Sequence, residues 1–175
     1  MLDSIAMPHL FPMVRAGGLF ILIMGVGVLL GGVWPRRRMA MLIAGGAAAT
    51  VAIILTANVL TRPLGLPTRL QVWALVAAIA LEIVLIRVVV ARYKRDGERP
   101  FLLAILFVVG LHFMPMAITF GPLCAALGLC VMANAAIAVG TSRDISLNRV
   151  WIVDGLLKLS FGVLMFAISG PFPRT

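Results

Sequence analysis

Long apolar runs separated by short polar stretches dominate the sequence. An α-helix of about 20 apolar residues is enough to cross the roughly 30 Å hydrocarbon core of a bilayer. The pattern therefore predicts an all-α polytopic membrane bundle, with one membrane domain over residues 1–175. The six predicted spans are residues 16–34, 39–60, 70–90, 101–119, 122–140 and 149–169.

The division between the fourth and fifth spans rests on a turn signal. Residues 101–140 are apolar for too long to form one span, and "TFGPL" lies in the middle of them at 119–123. Gly121 and Pro122 both interrupt helices. We therefore expect a tight helical hairpin at this point.

Composition and charge support a membrane protein over a nucleic-acid-binding one. The chain is 62% hydrophobic and only 12% charged, and its formal net charge is +9. The cationic residues cluster between apolar runs, so membrane topology and anionic lipid explain the charge better than a nucleic-acid partner does. Membrane lipids are the expected partners. No metal-binding or cofactor motif is recognisable, and we expect no cofactor.

Lysine and arginine counts predict the orientation. The loops after spans one, three and five hold nine such residues, whereas the opposite side holds four. By the positive-inside rule, the N- and C-termini are outside and the "RYKRDGER" loop (92–99) is cytoplasmic. Arg87 and Arg92, near the end of span three, are expected to contact lipid headgroups. Trp34, Trp73 and Trp151 fall at span ends, as in an aromatic belt.

Five of the polar side chains inside the predicted spans are candidates for a functional site. Ionisable groups at this depth are expensive and commonly mark a pathway or binding site. At 1.5 Å per residue, four of the five come near the middle of the bilayer, and one lies nearer the cytoplasmic boundary. The five candidates for a substrate or ion pathway are Glu82, His112, Asn134, Asp154 and Lys158.

Asp154 and Lys158 are four residues apart in "WIVDGLLKLSFGVLMF" (151–166) and so share one helix face. Their charges can offset each other, or Lys158 can reach Glu82 across the bundle. In either arrangement Lys158 is expected to be paired. The pair fits a functional cavity, and it also fits a structural ion pair that fixes helix packing.

The run "VVGLHFMPMAITFGP" (108–122) combines His112 with Pro115. Histidine titrates near neutral pH in water, so it suits proton transfer. Pro115 cannot donate to the carbonyl of Leu111, so a kink is expected. A packing kink beside a hydrogen-bonded histidine is the alternative. "GLHFMPMA" resembles a helix of small multipass bacterial membrane proteins of unknown function. That resemblance covers one helix and implies the bacterial plasma (inner) membrane, but no activity.

An internal repeat is suggested by two pairs of similar segments. "LFILIMGVGV" (19–28) matches "AILFVVGLHF" (104–113) around Gly25 and Gly110, and Val-Trp begins both the third and the sixth span. Three plus three spans that begin on opposite sides would form an inverted repeat, which is common in transporters. Chance similarity between apolar helices is the competing explanation.

Three functional classes remain open from the sequence. The leading hypothesis is a small transporter, channel or substrate-capturing subunit for a small molecule or ion. Six spans in 175 residues are similar in size to the vitamin-binding subunits of energy-coupling importers, although the alanine-based contact motif of that family is not evident. The second class is an accessory or assembly subunit whose charges pair with a partner subunit or a second copy. The third is a lipid-modifying enzyme, against which the lack of a nucleophile or metal motif argues.

Overall fold

The computed structural model describes residues 10–141 and 145–168. These residues form six α-helices, each long and apolar enough to cross a membrane, which confirms the predicted fold class. Each helix begins and ends within three residues of its predicted range. The helices are α1 (Val14–Val33), α2 (Arg38–Thr61), α3 (Arg69–Tyr93), α4 (Glu98–Phe120), α5 (Pro122–Gly140) and α6 (Leu147–Ile168).

Short connections force neighbouring helices to run antiparallel. A single turn of 3-10 helix, Pro35–Arg37, leads from α1 into α2, and another, Arg62–Leu64, follows α2. Gly121 alone separates α4 from α5, with a φ of 94° that favours glycine. We call the end of the bundle at which α2, α4 and α6 begin the arginine-rich end.

α1 and α4 are the most buried helices of the bundle, whereas α2 and α3 lie at its flanks. α1 packs against α2 and α6, α4 packs against α3 and α5, and α5 also packs against α6. α2 and α3 bury only a small part of their surface within the chain. Their exposed side chains are mostly aliphatic, as expected for helices that face lipid.

Glycines let two pairs of helices approach closely. A Cβ on Gly27 of α1 would lie 2.9 Å from the Cα of Gly45 on α2. A Cβ on Gly110 of α4 would lie 2.9 Å from the carbonyl oxygen of Gly128 on α5. Gly45 follows Gly27 by 18 residues, and Gly128 follows Gly110 by the same 18. Gly25, which the sequence comparison aligned with Gly110, faces α6 instead, and the inverted repeat stays a prediction.

Polar contacts fix the start of α3 at the end opposite the arginine-rich one. Thr68 and Gln71 form a capping box, in which each side chain bonds to the backbone N–H of the other residue. The Gln71 amide also donates to the carbonyl of Leu10, and the hydroxyl of Thr119 donates to the carbonyl of Gln71. These contacts tie α3 to α4 and to the segment before α1.

Candidate functional site

A cavity of about 440 Å³ lies between the helices, and every helix contributes at least one residue to its lining. Its walls are mostly aliphatic and aromatic. Apart from the Cys124 thiol, six lining residues carry polar side-chain groups at membrane depth: Thr50, Glu82, His112, Trp151, Asp154 and Lys158. Cavities of about 300–1,000 Å³ with apolar walls and a few polar groups are typical of small-molecule sites.

Asp154 and Lys158 form an ion pair that is almost fully buried. The Nζ of Lys158 lies 2.5 Å from Oδ2 of Asp154, and the residues are 2% and 0% exposed. The expectation that Lys158 is paired is confirmed, and its partner is Asp154 rather than Glu82. Gly25 allows α1 to pack against this turn of α6, because a Cβ there would lie 3.0 Å from the Lys158 Cβ.

Glu82 and His112 form a second polar pair, between α3 and α4. The Nε2 of His112 lies 3.7 Å from Oε2 of Glu82. This distance is too long for a direct hydrogen bond. His112 is 7% exposed, and Glu82 is more exposed than His112.

Three buried polar atoms around the cavity lack hydrogen-bond partners among the described residues. They are Nε1 of Trp151, Oδ1 of Asp154 and Nδ1 of His112. A buried polar group without a partner costs about 1–3 kcal/mol. These three atoms, an N–H donor, a carboxylate acceptor and an imidazole nitrogen, all belong to residues that line the cavity.

Asn134 does not line this cavity, although the sequence grouped it with the other four candidates. Its side-chain amide donates to the carbonyl of Val150 on α6, at 2.9 Å. Asn134 therefore joins α5 to α6.

Arg87 and Arg92 lie on the exposed surface of α3. Arg92 is 3.7 Å from Asp96 and lies over the ring of Tyr93. Headgroup contact by both arginines stays a prediction.

Pro115 lies within α4, which remains helical from Glu98 to Phe120. Pro115 has no N–H to donate to the carbonyl of Leu111, which is the residue before His112. The kink stays a prediction.

Two residues near the arginine-rich end were misread from sequence. Trp151 is fully buried rather than part of an aromatic belt, whereas Trp34 and Trp73 are exposed. Arg38, which looked like one of three loop arginines, is only 3% exposed. Its guanidinium lies over the Trp151 ring, 5.2 Å from the centroid. No signal in the "RRR" run separates Arg38 from its neighbours.

Arg38 joins three helices where they begin. Its Nη1 donates to Oε1 of Glu98 on α4 at 2.9 Å, and its Nη2 donates to Oδ1 of Asn148 on α6 at 2.6 Å. Trp151 lines the cavity and contacts Arg38, so this cluster lies beside the cavity at the arginine-rich end. We call Arg38, Glu98 and Asn148 the arginine clasp.

Metal chemistry finds no support in the described part of the chain. Residues 10–141 and 145–168 contain no group of three histidine, cysteine or carboxylate side chains that could hold a metal ion. Cys124 and Cys130 are both free thiols, and Cys124 lines the cavity.

Comparison with known proteins gives one match. No curated protein and no solved structure matches the chain significantly. A family model described as a family of unknown function matches residues 6–173, which is nearly the whole chain. The chain is thus a six-helix membrane protein that belongs to this family of unknown function, DUF6609.

Proposed function

We propose that the protein binds a small molecule in the membrane-embedded cavity and acts as a small transporter or substrate-capturing subunit. The observation that carries the proposal is the set of unpartnered polar atoms on Trp151, Asp154 and His112, all lining one cavity. A bundle that needed these side chains for packing alone would pair them within the chain.

The position of the cavity also supports transport. Counted along the helices, Glu82, His112 and Lys158 lie about 20, 21 and 16 Å from the starts of α3, α4 and α6. These depths are near the middle of each helix. Substrate sites at the bilayer midplane, between two structural halves, are typical of secondary transporters.

An accessory subunit is the second candidate, and the exposure of α2 and α3 favours it. Both helices expose long aliphatic surfaces that a partner's helices could cover. In that case Asp154 and Lys158, already paired with each other, would serve packing only. The two candidates differ in whether the cavity holds a ligand.

The test is to compare molecules that co-purify with the full-length protein and with a cavity-filled variant. Val109 lines the cavity on α4, and Ile118 lies on the opposite, exposed face of the same helix. Val109→Phe should fill the cavity, whereas Ile118→Phe adds the same ring to the surface. Both proteins are purified from membranes, extracted and analysed by mass spectrometry.

We expect one compound to be enriched with the wild type and with Ile118→Phe, and depleted with Val109→Phe. Counterflow of that compound into proteoliposomes would then establish transport. Equal recovery of every compound from the two variants, when both remain folded, would contradict a binding function and favour the accessory subunit.

A further inference from the structure

We infer that the ligand of this cavity is a single-chain amphiphile with an uncharged, hydroxyl-type head, which enters from the bilayer between α2 and α3. The inference rests on the proposed function and specifies its substrate class. Three features carry it: the shape of the cavity, the position of its polar atoms, and the side on which it opens.

The cavity is long and narrow. Its lining residues on α1 run from Met13 to Val28, and those on α4 run from Ile105 to Phe120. Each run covers fifteen helical steps, or about 22 Å. A volume of about 440 Å³ spread over this length fits one extended hydrocarbon chain better than a compact ring system.

Polar and apolar lining residues are separated along this length. Trp151 and Asp154, which carry two of the unpartnered atoms, lie toward the arginine-rich end. The far end is lined by Phe20, Met116 and Phe120, with no charged side chain. A molecule with a polar head and an apolar tail matches this division.

The unpartnered atoms indicate the chemistry of the head. Nε1 of Trp151 can only donate a hydrogen bond, and the carboxylate Oδ1 of Asp154 can only accept one. A hydroxyl group can satisfy both, since it donates and accepts. The negative charge of Asp154 already has a partner in Lys158, so the site does not need a charged head.

The opening lies at the flank of the bundle. α2 packs on α1 and α3 packs on α4, and the two flanking helices are not among the pairs that pack together. Ile54 on α2 and Ile79 on α3 line the cavity, yet are 72% and 45% exposed. Ile79 is about 15 Å from the start of α3, so the opening faces the acyl chains of the bilayer.

A substrate dissolved in the bilayer reaches this opening at a lower free-energy cost than a substrate dissolved in water. A polar solute would lose its hydration against aliphatic walls, at several kcal/mol for each unpaired polar group. An amphiphile already in the bilayer exchanges one apolar environment for another. Its hydroxyl group is the only part that needs partners.

The experiment uses the full-length protein in lipid nanodiscs and two photoactivatable probes. One is a long-chain fatty alcohol with a diazirine in its chain, and the other is the alkane of the same length. Labelled peptides are identified by mass spectrometry. We expect the alcohol to label α4 and α6 at cavity positions, and excess unlabelled alcohol to compete with it.

Matched variants test the opening and the head site separately. Ile79→Trp should obstruct the opening and reduce labelling by the alcohol. Val84→Trp, on the opposite exposed face of α3, should not. Trp151→Phe keeps an aromatic ring but removes the N–H donor. It should weaken labelling by the alcohol about fivefold, the effect of one hydrogen bond, and leave alkane labelling unchanged.

The outcomes separate this inference from the proposed function. Loss of alcohol labelling in Ile79→Trp, but not in Val84→Trp, supports lateral entrance. Equal labelling by alcohol and alkane, with no effect of Trp151→Phe, would overturn the assigned head group. No labelling inside the cavity would overturn the inference altogether. In that event, a water-soluble compound co-purifying with the wild type would leave the proposed function standing.

Discussion

At the scale of single residues, the site combines a buried ion pair with polar atoms that have no hydrogen-bond partner. Asp154 and Lys158 neutralise each other one helical turn apart, which lowers the cost of keeping either in the membrane. Asp154 nevertheless has a second carboxylate oxygen with no partner. The pair is thus satisfied at one carboxylate oxygen and leaves the other as the acceptor that the proposed ligand would use.

Removing one member of this pair should reveal both roles. Lys158→Met leaves the Asp154 carboxylate buried without its cation, and should lower the free energy of unfolding by on the order of 3 kcal/mol. Changing Asp154 to Leu as well should restore most of that loss. Unfolding in detergent measures stability, and co-purification measures ligand binding. We expect the double variant to be stable but to bind no ligand. Recovery of both stability and ligand binding would mean that the ion pair serves helix packing only.

Arg38 provides a second test, with Arg37 as its control. Arg38→Ala removes two hydrogen bonds and the contact with the Trp151 ring, so the unfolding free energy should fall by about 2 kcal/mol. Arg37 is exposed, and Arg37→Ala should change the unfolding free energy by less than about 0.5 kcal/mol. Equal effects in chemical unfolding would mean that the clasp contributes little.

At the scale of helices, the sequence was sufficient for position but not for packing. The lengths of the apolar runs and the Gly121–Pro122 turn located all six helices, because hydropathy and helix-interrupting residues are properties of a short stretch of sequence. Helix pairing was hidden because nearly every face of each helix is apolar, so no periodic stripe marks the inner side. For the same reason Asn134 was assigned to the cavity candidates, although it faces α6. Arg38 was missed because loop and buried arginines look alike in sequence.

Glycine contacts determine which helices meet, and two glycines of α5 allow a matched test. A Cβ on Gly128 would lie 2.6 Å from the carbonyl oxygen of Gly110, and backbone cannot move aside cheaply. Gly128→Ala should therefore destabilise the protein by about 1–3 kcal/mol. Gly140 has open space around it, so Gly140→Ala should be neutral or slightly stabilising. Thermal unfolding in detergent compares them, and indistinguishable midpoints would refute the close α4–α5 crossing.

At the scale of the whole molecule, the two halves are related in packing but differ at one contact. α1 on α2 corresponds to α4 on α5, and α1 on α6 corresponds to α4 on α3. The glycine crossings at Gly27 and Gly110 also correspond. The exception is that α5 packs on α6, whereas α2 and α3 leave the cavity open between them. Under the transport function proposed above, the open α2–α3 side and the closed α5–α6 side would exchange roles, as in the alternating access of transporters built from inverted repeats.

This asymmetry predicts a second state, in which α2 and α3 approach each other while α5 and α6 separate. Spin labels at Ile43 and Val88 report the first distance, and labels at Leu129 and Val163 report the second. All four side chains are exposed, so labels should not disturb the fold. Adding the compound that co-purifies with the protein should shorten the first distance and lengthen the second, because a ligand shifts the population toward the state that binds it better. Distances that stay fixed in both pairs, with the ligand bound, would mean that the cavity is a static binding site and that the halves do not exchange roles.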